Sequence, residues 1–186
     1  MNKAIADRVS GVLFFLAFVP YILTILNGLT QPSPISWAIW GSVDVLTLVA
    51  MKKKNALNSQ IIGALAGASV TTLLAVVYGK PTMGSIEWVS IVGAVAGIIL
   101  WQRTGNALLA IISSQAAILI GAIPTFAGAY SNPAQENPIA WLIWFSSCIC
   151  ALFAIRKWDL ANALQPLTFT IVEGVMVFLV VIRPHF

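Results

Sequence analysis

The sequence predicts an all-α polytopic membrane protein with seven transmembrane helices, arranged as two parallel three-helix repeats joined by a linker helix. Three observations predict it. Hydrophobic residues make up 59% of the 186 and charged residues only 9%, at a mean hydropathy of +0.92; soluble domains average about 25% charged residues. Seven apolar segments can be marked, each close to the ~20 residues that cross a hydrocarbon core as a helix. Finally, the chain repeats itself at an offset of 104 residues.

The spans run roughly 9–29, 35–51, 60–79, 86–101, 106–129, 139–155 and 165–183. The first follows Lys3 and Arg8. It is long and lacks a small-residue cleavage site, so it reads as a span and not as a removable signal peptide. The second, fourth and sixth spans, at about 16–17 residues, lie near the lower limit for crossing. Their brief connections leave no extramembrane domain. The expected division is 1–79 for the first repeat, 80–105 for the linker helix and 106–186 for the second repeat. Cys148 and Cys150, the only cysteines, sit one residue apart in an apolar run and read as small hydrophobes.

Basic residues sort by side. Lys3, Arg8, Lys52, Lys53, Lys54, Arg103, Arg156 and Lys157 fall on the side of the N-terminus; Lys80 and Arg183 fall on the other. Eight against two predicts a cytoplasmic N-terminus and an outside C-terminus in a bacterial inner (plasma) membrane. The net charge of +4 is therefore a topology signal, and no nucleic-acid partner is expected.

The repeat is carried by rare residues. Pro34-Ile35-Ser36-Trp37-Ala38-Ile39-Trp40 is echoed by Pro138-Ile139-Ala140-Trp141-Leu142-Ile143-Trp144. The same ungapped offset pairs Pro20 with Pro124, Gln31 with Gln135, Ser42 with Ser146, Lys53 with Lys157 and Asn58 with Asn162. Across positions 20–58, twelve of 39 residues are identical. One intervening span puts both units the same way up, related by an axis along the membrane normal.

This 3+1+3 plan, with a proline in the first helix of each unit and another at the start of the second, resembles the SWEET/PQ-loop superfamily of sugar transporters, lysosomal amino-acid exporters and the KDEL receptor. The likeness rests on Pro20, Pro34, Pro124 and Pro138, on Pro124-Thr125-Phe126, and on Trp40-Gly41 followed by Asp44. It implies a transporter in which the four prolines act as a hinge tetrad. The PnuC-type vitamin transporters share the plan. Neither Pro20 nor Pro124 is followed by Gln, and the asparagine pair that lines the family's sugar site has no counterpart, so sugar specificity is not implied.

Two acids fall mid-span, Asp44 in the second and Glu173 in the seventh, at similar depth, with no Lys or Arg deep in any span. An ionised group there costs about 2.5–3.5 kcal/mol or more. Each acid must be protonated, bound to a cation or wetted by a cavity; otherwise it is a neutral acid hydrogen-bonded to its neighbours. At the repeat offset Asp44 aligns with Cys148 and Glu173 with Ser69, so each half supplies one acid. Ser69 and Gln115 are further polar candidates for the substrate or proton path. Glu87 and Glu136, at span edges, are expected to be solvated.

Pro20 and Pro124 interrupt their helices and are hinge candidates, whereas Pro34 and Pro138 also suit ordinary helix starts. Trp37, Trp40, Trp141 and Trp144 form two i, i+3 pairs, expected as an interfacial belt or as a gate. Gly63-x-x-x-Gly67 and Gly93-x-x-x-Gly97 signal close packing within the bundle or between protomers of a homo-oligomer. No nucleophile or metal constellation appears, and the one histidine is His185, so neither an enzyme nor a cofactor is expected. A retinal protein is disfavoured because 165–183 contains no lysine. The expected function is a secondary transporter of a small polar or cationic solute, with proton coupling as a variant. The alternative is a receptor or assembly subunit on the same fold.

Overall fold

A computed structural model describes residues 2–79 and 84–185. Seven helices follow one another: α1 (Lys3–Leu26), α2 (Pro34–Lys53), α3 (Ser59–Tyr78), α4 (Ser85–Thr104), α5 (Ala107–Ser131), α6 (Pro138–Ala154) and α7 (Leu160–Val177). A 3₁₀ turn, Pro133–Gln135, precedes α6, and a π turn, Phe178–Ile182, extends α7. Among the described residues there is no strand.

The helix starts are written in short polar side chains. Asn2, Ser33, Asn58, Asn106, Asn137 and Asp159 each accept a hydrogen bond from a backbone N–H in the turn they open. This satisfies donors that lipid cannot. It also corrects two expected boundaries. The first helix begins at Lys3 and not near residue 9, because its charges have partners: Lys3 Nζ donates to Ile155 O at 2.7 Å, and Asp7 accepts from Ser59 N and Oγ at 3.0 and 2.6 Å. The last helix begins at Leu160, directly after its Asp159 cap.

Among the described residues, five helices (α1, α2, α3, α5 and α7 with its extension) are long and apolar enough to cross a membrane. Helix α6 is apolar but has only 17 residues. The outer surface carries exposed Leu16, Val19, Leu73, Val76 and Val77, while Ser36, Thr47, Gln60, Thr71, Ser147 and Gln165 are buried. A polar interior under an apolar exterior suits lipid and not water.

Six helices close a ring in the order α1–α3–α2–α5–α7–α6 and back to α1, while α4 lies outside against α5 and α2. Exchanging α1, α2, α3 with α5, α6, α7 leaves this order of neighbours unchanged. Burial follows the same exchange. Each of the eight buried residues of α1 has a buried counterpart 104 residues on in α5. Each of the six in α6 has one 104 residues back in α2. The eight of α3 are matched at 105 in α7 and its π turn. One extra residue turns a helix by about 100°. The structural counterpart of Glu173 is therefore Ala68 and not Ser69.

Small residues set the helix spacing. A Cβ on Gly63 would lie 2.5 Å from Gly11 O, and one on Gly67 would fall 1.9 Å from the Phe18 ring. Gly93 faces Ile120 of α5 in the same way, at 2.9 Å. The glycines Gly63, Gly67 and Gly93 thus serve contacts inside this chain. Lys80 and the side chains of Glu87 and Gly97 lie outside the described residues.

The two ends of the bundle differ in charge. End A gathers Lys3, Arg8, Lys54, Arg156 and Lys157 around shallow grooves. At end B, Arg183 donates to Tyr130 O at 2.6 Å and stacks 3.8 Å over its ring.

Candidate functional site

The ring encloses a cavity of about 40 Å³ on its axis, room for about three waters. Every ring helix lines it and none of the lining comes from α4. Phe14 and Phe18 come from α1; Trp37, Trp40 and Asp44 from α2; Ala64 and Ala68 from α3; Ile118 from α5; Trp141 and Trp144 from α6; Phe169, Val172 and Glu173 from α7. The structure thus brings both mid-span acids to one space.

Asp44 is 3% exposed and Glu173 6%. Asp44 Oδ1 and Glu173 Oε2 are buried without a hydrogen-bond partner, and neither Lys nor Arg is among the lining residues. Two unpaired buried acids facing one space are expensive as structure alone.

The tryptophans overturn the interfacial-belt expectation. Trp37, Trp40, Trp141 and Trp144 are all buried, and all line the cavity. Edge-on and tilted ring contacts hold them: Trp37 lies 5.1 Å from Trp40, Trp141 5.0 Å from Trp144, and Trp37 6.1 Å from Trp144. Trp40 Nε1 donates to Ile118 O at 3.1 Å, and Trp144 Nε1 to Phe14 O at 3.0 Å. These bonds are equivalents under the 104-residue exchange. Each engages an indole N–H with a backbone carbonyl.

Glu136 is a second correction. It is 8% exposed and accepts from Trp141 Nε1 at 2.9 Å, so it is buried at the end B mouth and not solvated. Burial pushes its carboxyl up to about 7, against the Trp141 N–H and the Tyr21 hydroxyl, which favour the ionised form. Beside it, Asn137 Nδ2 donates to Pro20 O at 3.1 Å and Gln31 N to Gln135 O at 3.2 Å. The end B loops of the two halves are therefore joined to each other.

The other candidates separate. Ser69 is exposed and donates to Leu65 O of its own helix at 2.8 Å, so it does not reach the cavity. Gln115 is buried outside the lining, donating to Thr47 and Ser114 at 3.2 Å each. Pro34 and Pro138 are the first residues of α2 and α6, as helix starts. Pro20 and Pro124 lie within α1 and α5 and do not line the cavity; Pro20 is tied through its carbonyl to the end B loop.

The sequence reading missed a polar chain inside the bundle that leads to Asn58 at end A. Gln60 Nε2 donates to Ser147 and Cys148 at 3.3 Å, Gln165 Nε2 to Gln60 Oε1 at 3.1 Å, and Asn58 Nδ2 to Gln165 Oε1 at 2.8 Å. Gln60 and Gln165 are 105 residues apart, so the ungapped offset hides them. Among the described residues no group of three or more His, Cys, Asp or Glu is arranged to hold a metal ion. No protein-family model, curated protein or solved structure matches this chain.

Proposed function

We propose that the protein is a secondary transporter moving a small polar or cationic solute through the ring, with proton coupling at Asp44 and Glu173. One observation carries the reading: two acids from opposite halves of the chain face a single central cavity without partners. A static bundle gains nothing from that arrangement, whereas a carrier needs groups that change partner or protonation during its cycle.

The two units are read as parallel repeats of a duplicated three-helix element. The recurrence of buried positions and the reciprocal Trp40–Ile118 and Trp144–Phe14 bonds support this. Sites at the interface of such repeats, near mid-membrane, are usual in transporters. The plan remains similar to that of the SWEET/PQ-loop and PnuC-type proteins. All seven helices are taken as spans, with end A cytoplasmic in a bacterial inner membrane on the charge count. Solute flux into proteoliposomes against pH tests the proposal for wild type, Asp44→Asn and Glu173→Gln. Loss of the pH dependence in the variants is expected. Binding without flux would make the protein a receptor, and unchanged profiles in both variants would retire the two acids.

A further inference from the structure

We infer that the central cavity is an organic-cation site, taking a quaternary or protonated amine; this rests on the transport reading and specifies its substrate class. The argument is about donors and acceptors. Two of the four indole N–H groups are bonded to backbone carbonyls and a third to Glu136. Only Trp37 Nε1 is left without an acceptor. Among the lining residues, the other buried polar atoms without partners are acceptors, Asp44 Oδ1 and Glu173 Oε2, while the unpartnered hydroxyls of Tyr21, Ser36, Thr71 and Thr125 lie outside the lining. The remaining wall is aromatic and aliphatic carbon.

Each class of solute makes a different demand on that wall. An anion finds two carboxyls and one donor. A sugar needs donors and acceptors in pairs, and leaving its hydroxyls unmatched discriminates strongly against it. A bare metal cation needs six or so oxygen ligands, and the wall offers two carboxyls among carbon. An alkylammonium needs negative charge and π faces, and its carbon shell packs against rings. Trp37, Trp144, Phe14, Phe18 and Phe169 supply the rings, and the two acids supply the charge. A methylammonium ion fits the space as it stands; larger ions require the tryptophan pairs to part.

The test is titration of the purified full-length protein in lipid nanodiscs, read by calorimetry and by intrinsic tryptophan fluorescence. The probes are methylammonium, tetramethylammonium, choline, the neutral carbon isostere of choline (dimethylbutanol) and glucose. At least one cation should bind saturably, and the isostere should bind at least about tenfold more weakly than the tightest-binding cation. Asp44→Asn should weaken cation binding by about tenfold or more and leave the isostere unchanged. Glu173→Gln is the second variant should the first not fold. Binding of the isostere as tight as that of the best cation, preference for glucose, or no cation binding at millimolar concentration each overturns the assignment. A cation that binds but does not cross proteoliposomes defeats the transport reading alone. A neutral solute that crosses defeats only this one.

Discussion

Replacing Glu136 with Gln should stabilise the protein at alkaline pH and remove a pH dependence that the wild type shows. The carboxyl is buried at the end B mouth, and its pKa is raised from 4.5 to about 7. A raised carboxyl binds its proton more tightly folded than unfolded, so between those two values the native state holds the proton that the unfolded chain has released. Stability then falls as pH rises through that window and is flat below and above it. At 1.36 kcal/mol per pH unit, the interval from 4.5 to about 7 amounts to about 3 kcal/mol. Gln keeps an oxygen for the Trp141 N–H but cannot ionise, so the variant should gain about that amount over wild type at pH 8 and little at pH 4.5. For a chain of this size 1 kcal/mol moves Tm by roughly 2–4 °C, giving a difference of roughly 6–12 °C. Thermal unfolding in detergent from pH 4.5 to 8, followed by tryptophan fluorescence, measures it. Parallel curves for the two proteins, or a gain confined to low pH, would refute the burial argument.

Further outcomes follow from individual contacts. Gly63→Ala sets a methyl 2.5 Å from Gly11 O and must force α3 from α1, at a cost of about 1–3 kcal/mol that unfolding measurements would register. Ser69→Ala should leave flux unchanged, since Ser69 is exposed on the outer face and bonds only within its own helix; a loss of flux would bring Ser69 back toward the path. A reporter active only in the cytoplasm should stay silent at the C-terminus, and activity there would reverse the assigned orientation.

The positions of the helices were legible in the sequence, because hydropathy is summed over many residues. The expected spans match the observed helices except where charged side chains found partners, as Asp7 does on Ser59. Asp44 and Glu173 were legible as unpaired acids at equal depth, and the cavity that joins them follows from the ring. Burial of the tryptophans was not legible. An i, i+3 aromatic pair near a helix start looks the same whether it faces a headgroup layer or a neighbouring helix, and only the ring geometry of α1, α2 and α6 decides. Glu136 was misplaced for a related reason: a loop position says nothing of the Trp141 indole that covers it. Ser69 was drawn in by extending an ungapped offset into a helix whose register slips by one residue, and the same slip concealed Gln60 and Gln165.

The claim that the central cavity is a solute path is tested most directly, and without knowing the solute, by its access to water from the two ends. Ala68 lines the cavity and carries no polar group of its own. In a background with Cys148→Ala and Cys150→Ser, Ala68→Cys provides a single thiol there. Membrane-impermeant thiosulfonate reagents are applied to oriented vesicles from one side and then, in a separate sample, from the other. The account predicts labelling from both sides, as a carrier exposes its site to each in turn. A thiol silent from both sides, or reached from one side only, would contradict it.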